Sequence, residues 1–326
     1  MIITRTPLRI TLGGGGTDLP SYYERFGGVV LSAAISKHIY ISSNATFTPD
    51  YFLKYSALER VERAADIEHP IVREALLAHG IEPSVEIVSM ADIPSGTGLG
   101  SSGAFTVGLL QAIYAMKRDH VGAAEIAEEA CRIEIERLGR PVGKQDQYVA
   151  AFGGLKVYHF KPDGGVKVSP LQISEVTFHD LQDHLLMFFT GYSRAAEKVL
   201  EEQRVKSTAG DSAMIDNLHY VKELGLRSQA ALESGDCECY AELMHEHWEH
   251  KKKRSGMMSN PNIDRWYTLG RENGAIGGKL VGAGAGGFLL FYTREARRLR
   301  TAMAAEGLAE VRFSFDNDGS VVLVRS

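Results

Sequence analysis

The chain of 326 residues is long enough for two domains, and its 44% hydrophobic and 24% charged residues are the balance of a globular protein. A formal net charge of -5 argues against a nucleic-acid partner, and no uninterrupted apolar run is long enough to span a membrane. Three cysteines, Cys131, Cys237 and Cys239, form no disulfide framework and fit a reducing compartment, so a cytoplasmic protein with no membrane partner is expected.

Residues 2–12 alternate loosely and read as a strand, which G-G-G-G-T-D-L-P (13–20) breaks. Residues 29–46 are β-branched and apolar with polar interruptions, the pattern of strands in a sheet. Residues 71–79 look helical, and V-E-I-V-S-M (85–90) is a short strand leading into P-S-G-T-G-L-G-S-S (94–102). Helices are expected over 103–117 and 122–138, an interruption at G-R-P-V-G-K-Q-D-Q-Y (139–148), and a strand at L-K-V-Y-H-F (155–160). The second half follows a similar order: a strand at 185–190, then helices over 193–206, 212–233 and 238–253. A glycine-rich turn at G-G-K-L-V-G-A-G (277–284), a buried strand at 287–292, a helix over 295–305 and closing strands at 311–316 and 320–325 complete the chain. Strands and helices mix without strict βαβ alternation, which places the chain in the α+β class with largely segregated layers.

Of the 34 glycines, 15 fall in three clusters, Gly13–Gly16, Gly96–Gly103 and Gly274–Gly287. The middle one carries the clearest chemistry. Gly96, Gly98 and Gly100 precede Ser101, Ser102 and an apolar-rich helical run, so a glycine-rich loop opens a helix whose free N–H groups suit a phosphate. The spacing is neither a Walker loop nor a dinucleotide fingerprint. In the first cluster Asp18 reads as a turn residue, or as an acceptor of sugar hydroxyl hydrogen bonds beside a loop with no side chains in the way. Glu134 and Glu136 read as solvated helix charges and Asp146 as a helix N-cap when taken alone. In H-E-H-W-E-H-K-K-K-R (245–254) the histidines lack zinc-ligand spacing, and the basic run suits a solvated helix end.

Taken together, P-x-R-x-x-x-x-G-x-x-T-D from Pro7, P-x-x-x-G-L-G-S-S from Pro94, E…G-x-P-x-G-x-x-D-Q from Glu134 and K-x-x-G-A-G-x-G-G from Lys279 resemble the motifs of the GHMP kinases, in order and across almost the whole chain. Within that family the runs around Gly13, Asp146 and His250 look most like the bacterial heptose 7-phosphate kinases. The resemblance implies a two-domain fold, an N-terminal mixed-sheet domain over 1–170 with the phosphate loop and base, and a C-terminal ferredoxin-like domain over 171–326. It implies ATP and Mg²⁺, a small-molecule sugar phosphate as partner, and transfer of the γ-phosphoryl to the anomeric hydroxyl. The product would be a heptose 1,7-bisphosphate for nucleotide-activated heptose synthesis.

By the same resemblance Asp146 is the catalytic base with Arg9 beside it, and Pro94, Gly96, Gly98, Leu99, Gly100, Ser101, Ser102 and Gly103 hold the nucleotide phosphates. Ser102 and Glu134 are the metal ligands, and Gly14, Gly15, Thr17, Asp18 and Gly284 border the acceptor. Lys251, Lys252, Arg254, Arg140 and Lys144 are candidates to grip a second phosphate on the acceptor. A 1-kinase for fucose, galactose or a uronic acid is the alternative. A catalytically silent sugar sensor is a third reading, against which the presence of Arg9, Ser101, Ser102, Glu134 and Asp146 speaks.

Overall fold

Two sheets carry the fold, and the cleft lies where they meet. The structure, a computed structural model, describes residues 1–191, 196–284 and 286–326. The large sheet is built on β1 (Ile2–Gly13) and β2 (Gly28–Ala45), which run antiparallel along most of their length. On its other side β2 is shared: its first half pairs β6 (Leu155–Phe160) and its second half pairs β5 (Val85–Ala91). β3 (Tyr51–Lys54) joins β5 in parallel, β4 (Leu58–Val61) extends that edge, and β7 (Val166–Pro170) extends β6. The last strand, β11 (Val321–Arg325), returns to pair with β1, so the end of the chain lies in the large sheet rather than with the elements that follow residue 171. Pro7 has no N–H for the ladder, and the register between β1 and β2 shifts at Pro7/Leu8, the bulge position that accommodates a proline in a strand.

The helices explain why both central strands are nearly all buried. α3 (Ser101–Lys117) lies across β1 and β2, and Gly108 lets it approach, since a Cβ there would stand 2.7 Å from Thr6 Oγ1. α5 (Gln145–Phe152) packs beside α3, and α4 (Ala123–Cys131) continues into a π-helical turn, Arg132–Arg137. The short helices α1 (Pro20–Phe26) and α2 (Pro70–His79) each begin with proline, which suits a first turn that needs no N–H.

The small sheet has β8 (Leu185–Gly191), β10 (Gly287–Thr293) and β9 (Ala275–Val281) in that order, all antiparallel. Residues 309–311 run along the free side of β8, with Phe189 N–H donating to Ala309 O and Val311 N–H to Met187 O. The order 4-1-3-2 is that of a ferredoxin-like layer. Its helices are α6 (Glu175–His184), α7 (Ala196–Thr208), α8 (Ser212–Glu233), α9 (Cys237–Lys252), α10 (Pro261–Glu272) and α11 (Ala296–Ala305). Every residue of β10 is buried, because Phe288, Leu290 and Tyr292 join the main core while Leu289 and Phe291 face a second cluster with Trp248 and Leu299.

Two expectations are corrected. Residues 277–281 are strand, not turn: Gly277 and Gly278 are there for close packing, since a Cβ on Gly277 would lie 1.7 Å from Ala241 O of α9. Residues 311–316 are not a strand but cross from the small sheet to the large one, touching it at the Ile35–Phe315 bridge. Residues 193–195 of the expected helix over 193–206, and Ala285 of the glycine-rich segment, lie outside the described residues. α1, β3, β4, β7, α6 and α10 were not legible from periodicity, being short or amphipathic only in part.

Candidate functional site

A cleft of about 780 Å³ runs between the two layers, and three chain segments far apart in sequence converge on it. The loop after β5 forms its floor. Gly96, Gly98 and Gly100 have φ of 77°, 81° and 78°, a region open to glycine, and Thr97 Oγ1 closes the loop on Pro94 O at 3.0 Å. α3 then starts without a side-chain cap, and the buried hydroxyl of Ser101 has no hydrogen-bond partner. A helix start with uncapped N–H groups and an orphaned hydroxyl is a cradle for an anion.

Arg9 ties this loop to α5. Its Nη1 donates to Gly98 O at 2.7 Å and its Nε to Asp146 Oδ1 at 2.8 Å. Asp146 reaches the loop because α3 carries glycine where they touch: a Cβ on Gly103 would lie 2.7 Å from Asp146 Cβ. The Asp146 side chain keeps 30% exposure, so its carboxylate is open to a ligand.

Glu134 sits in the π-helical turn with no exposed surface. Its Oε1 accepts from Gln147 Nε2 at 2.9 Å and Thr106 Oγ1 at 3.1 Å, while Ser102 Oγ donates to Oε2. Burial pushes the carboxyl up despite those donors and Arg140. Arg140 Nη1 bridges Ser102 Oγ at 2.7 Å and Glu134 Oε2 at 3.2 Å, the place a small cation would take. One hydroxyl and one carboxylate are hard oxygen ligands of the kind Mg²⁺ accepts when phosphates supply the rest.

Asp18 forms the third wall. Gly16 N–H donates to its Oδ1 at 3.1 Å and Gln145 N–H to its Oδ2 at 3.2 Å. Burial first, and then the charge of Asp146, push its carboxyl up. Beyond it stand Lys251, Arg254 and Lys279, all buried. The other end of the cleft is aromatic and apolar, with His69 4.8 Å from the Tyr55 ring and 4.9 Å from that of Phe105. Such a slot fits a flat heterocycle.

Of the residues expected at the site, Arg9, Gly15, Asp18, Pro94, Gly96, Gly98, Gly100, Ser101, Ser102 and Asp146 line the cleft, and Glu134 lies directly behind Ser102. Gly14, Thr17, Leu99, Gly103 and Gly284 do not line it. Thr17 is fully buried, its one hydroxyl proton shared between Gly14 O and Val29 O, each 2.9 Å away, so it holds the glycine loop together from behind. Gly14 packs on Val29 O, Gly103 on Asp146 and Gly284 on Met258. Among the basic candidates, Lys144 is bound to Glu128, and Lys252 to Glu249 and Asp264, away from the cleft.

Lys279, quoted from the sequence only as the first residue of a motif, was given no role of its own at the site. The signal was a lone lysine inside the apolar strand A-I-G-G-K-L-V. Its Nζ donates to Leu12 O at 2.8 Å, and burial, then Arg254 and Arg9, bring it down to about 7. The folded state therefore sheds this proton before the unfolded chain does. Stability of the ligand-free protein from this group rises with pH between about 7 and the ordinary 10.5, and is lost as pH falls through 7. Lys251, brought well down by burial and the same cations, has the same sign. Thermal unfolding across pH 6–10 is expected to show a rising Tm that flattens in Lys279→Met; an unaltered slope would remove the assignment.

The GHMP kinases N terminal domain matches residues 52–154 and the GHMP kinases C terminal domain residues 228–309. A D-glycero-alpha-D-manno-heptose 7-phosphate kinase of Campylobacter jejuni is 33% identical, over 98% of this chain and 97% of its own. A bifunctional fucokinase/GDP-fucose pyrophosphorylase of Arabidopsis thaliana is 25% identical over 90% of this chain and 30% of its own. The crystal structure of a D-glycero-D-manno-heptose 1-phosphate kinase from Bacteroides thetaiotaomicron superposes with TM-score 0.80 at 25% identity, covering 99% of both chains.

Proposed function

The chain belongs to the GHMP kinase family, whose domains match both its halves, and from that premise we propose that this ATP-dependent sugar kinase phosphorylates the anomeric hydroxyl of D-glycero-D-manno-heptose 7-phosphate. The observation that carries the chemistry is Asp146, held by Arg9 between the glycine loop and the Asp18 loop. The names of two of the three relatives suggest the acceptor: both are heptose kinases named with a phosphate, at C7 in one and C1 in the other.

In this reading the N–H groups at the start of α3 and of its loop hold the nucleotide phosphates, and Ser101 Oγ gains the partner it lacks. Asp18 and Gly16 position the sugar, whose hydroxyl lies between the two carboxylates. Asp146 accepts the proton as the hydroxyl oxygen attacks. Arg9, fixed by Gly98 O, keeps Asp146 oriented and lends positive charge where negative charge builds on the transferring group. Ser102 and Glu134 would hold Mg²⁺, which when bound neutralises charge on the phosphates. Arg140, now on those two groups, would give way to it. Little covalent work is asked of the protein, so positioning supplies most of the catalysis. No described helix is long and apolar enough to cross a membrane, and the three thiols are unpaired, which fits a cytoplasmic enzyme.

The test is ATP-dependent phosphorylation of heptose 7-phosphate, heptose 1-phosphate, mannose 6-phosphate, fucose, galactose and glucuronate, with the new phosphate located by phosphorus NMR. The expected result is a strong preference for heptose 7-phosphate and a new phosphate on C1. Preference for a free sugar would discard the acceptor and keep the fold and the chemistry.

A further inference from the structure

Lys251, Arg254 and Lys279 are 9%, 5% and 3% exposed, and all three line the cleft. None forms an ion pair with a carboxylate among the described residues. Lys279 Nζ spends its contacts on Leu12 O at 2.8 Å and His247 Nδ1 at 3.4 Å, and Lys251 Nζ on Leu280 O at 3.0 Å and on Gly282 O. Arg254 Nε donates to Asn217 Oδ1 at 2.8 Å, and its Nη2 is buried with no hydrogen-bond partner among the described residues. His247, buried among them, is held well below its ordinary range by burial and by its basic neighbours, so it stays neutral and adds no further positive charge. Asp18 attracts Arg254 only through space.

Three basic groups withdrawn from water without a counter-ion are costly to keep charged, and each opposes the charging of the others, which is why Lys279 and Lys251 are both brought down. The main packing need here would be met better by apolar side chains. A buried guanidinium with an unused N–H₂ group is the donor side of an interaction whose acceptor comes from outside the chain.

The position of the cluster says which part of a ligand it meets. Lys279 grips Leu12 O, just ahead of the four-glycine loop. Arg254 stands over that loop, since a Cβ on Gly16 would lie 2.5 Å from Arg254 Nη1. Gln203 Nε2 fixes the loop from the same side by donating to Gly16 O at 2.8 Å. Gly16, with φ of 97°, leaves room for the guanidinium beside Asp18. Arg254 and Lys279 therefore stand against the acceptor loop, with Lys251 next to them.

We infer that Arg254, with Lys251 and Lys279 behind it, forms a pocket for a phosphate dianion that the acceptor already carries, remote from the hydroxyl being phosphorylated. This rests on the reading of the acceptor as a sugar phosphate. The guanidinium offers a planar fork that matches two phosphate oxygens, and the two lysines supply charge from the second row. The pocket then sets the choice between a sugar phosphate and the corresponding free sugar, because a free sugar leaves the Arg254 guanidinium and the two buried lysines without an acidic partner. Bringing a dianion beside Lys279 also draws its proton affinity back up, so acceptor binding takes up protons from buffer near neutral pH.

The experiment compares wild type, Arg254→Gln and Lys279→Met. The first readout is kcat/KM for heptose 7-phosphate divided by that for the unphosphorylated heptose. Losing one desolvated charge contact is expected to lower that ratio by about 30- to 100-fold in Arg254→Gln, with KM for ATP unaltered. The second is calorimetric binding of inorganic phosphate to the ligand-free protein, run in two buffers of different ionisation enthalpy. Phosphate binding is expected to weaken at least about tenfold in Arg254→Gln, with proton uptake in wild type that Lys279→Met removes. Equal losses on both acceptors, or a rise in KM for ATP instead, would overturn the pocket. Should wild type act only on free sugars, the function reading fails by itself, and the phosphate titration still decides the pocket: weaker binding in Arg254→Gln supports it and equal binding overturns it. Folding is read from Tm, which is expected not to fall in Arg254→Gln, because an unanswered buried charge has been removed.

Discussion

Asp146→Asn is expected to lower kcat by about 10²- to 10⁴-fold, the span over which a positioned general base acts. The substitution is a clean one. An amide oxygen can still accept from Arg9 Nε, and the size of the side chain is kept where Gly103 and Gly100 crowd against it. What disappears is the ability to take a proton from the acceptor hydroxyl. KM for ATP should therefore stay where it was, and kcat and kcat/KM for the acceptor should fall together, the mark of an interaction made in the transition state. Steady-state kinetics with the D146N enzyme settle it. A kcat within about tenfold of wild type would leave Asp146 as an anchor for Arg9 and would require another base.

The second large effect comes from a residue that makes no chemistry. Gly282 follows β9 with φ of 85°, and a Cβ added to it would stand 2.5 Å from Gly98 Cα and 2.6 Å from Gly98 O. Its neighbour across the joint is equally tight, for a Cβ on Gly98 would lie 2.8 Å from Val281 O. Here the small sheet leans on the phosphate loop, backbone against backbone. Gly282→Ala must strain a left-handed residue and push the two chains apart, each costing about 1–3 kcal/mol. Displacing the loop by even about 1 Å is expected to lower kcat/KM on the order of 10²-fold. Tm should fall by several degrees. Gly307→Ala is the control, since Gly307 has φ of 75° but open space around it. If both variants lose the same small amount of Tm and keep activity, the joint does not set the loop.

The comparison of these two residues shows how sequence and structure divide the work. The run from Gly96 to Ser102 could be read locally, because glycine spacing, a helix start and serine hydroxyls are properties of adjacent residues. Asp146 and Arg9 were recognisable as parts of motifs, but 137 positions separate them, and their contact at 2.8 Å exists only once β1 and α5 pack on α3. The same distinction governs the fold. Contiguous apolar runs such as G-F-L-L-F-Y identified a buried strand, whereas the sharing of β2 between β5 and β6, and the return of β11 to β1, are matters of long-range pairing.

The charges make the point most sharply. K-K-K-R at 251–254 reads as a solvated helix end, and for Lys252 that is where the structure puts it, beside Glu249 and Asp264. Lys251, in the last turn of α9, and Arg254, just past its end, turn inward and are buried with Lys279. Composition and motif order by themselves determined the class, the family likeness and the loop that faces an anion, because those follow from local chemistry. Which cations turn inward, which glycines line the cleft and which only brace it were decided by tertiary structure alone, because burial and close backbone approach depend on what another part of the chain brings alongside.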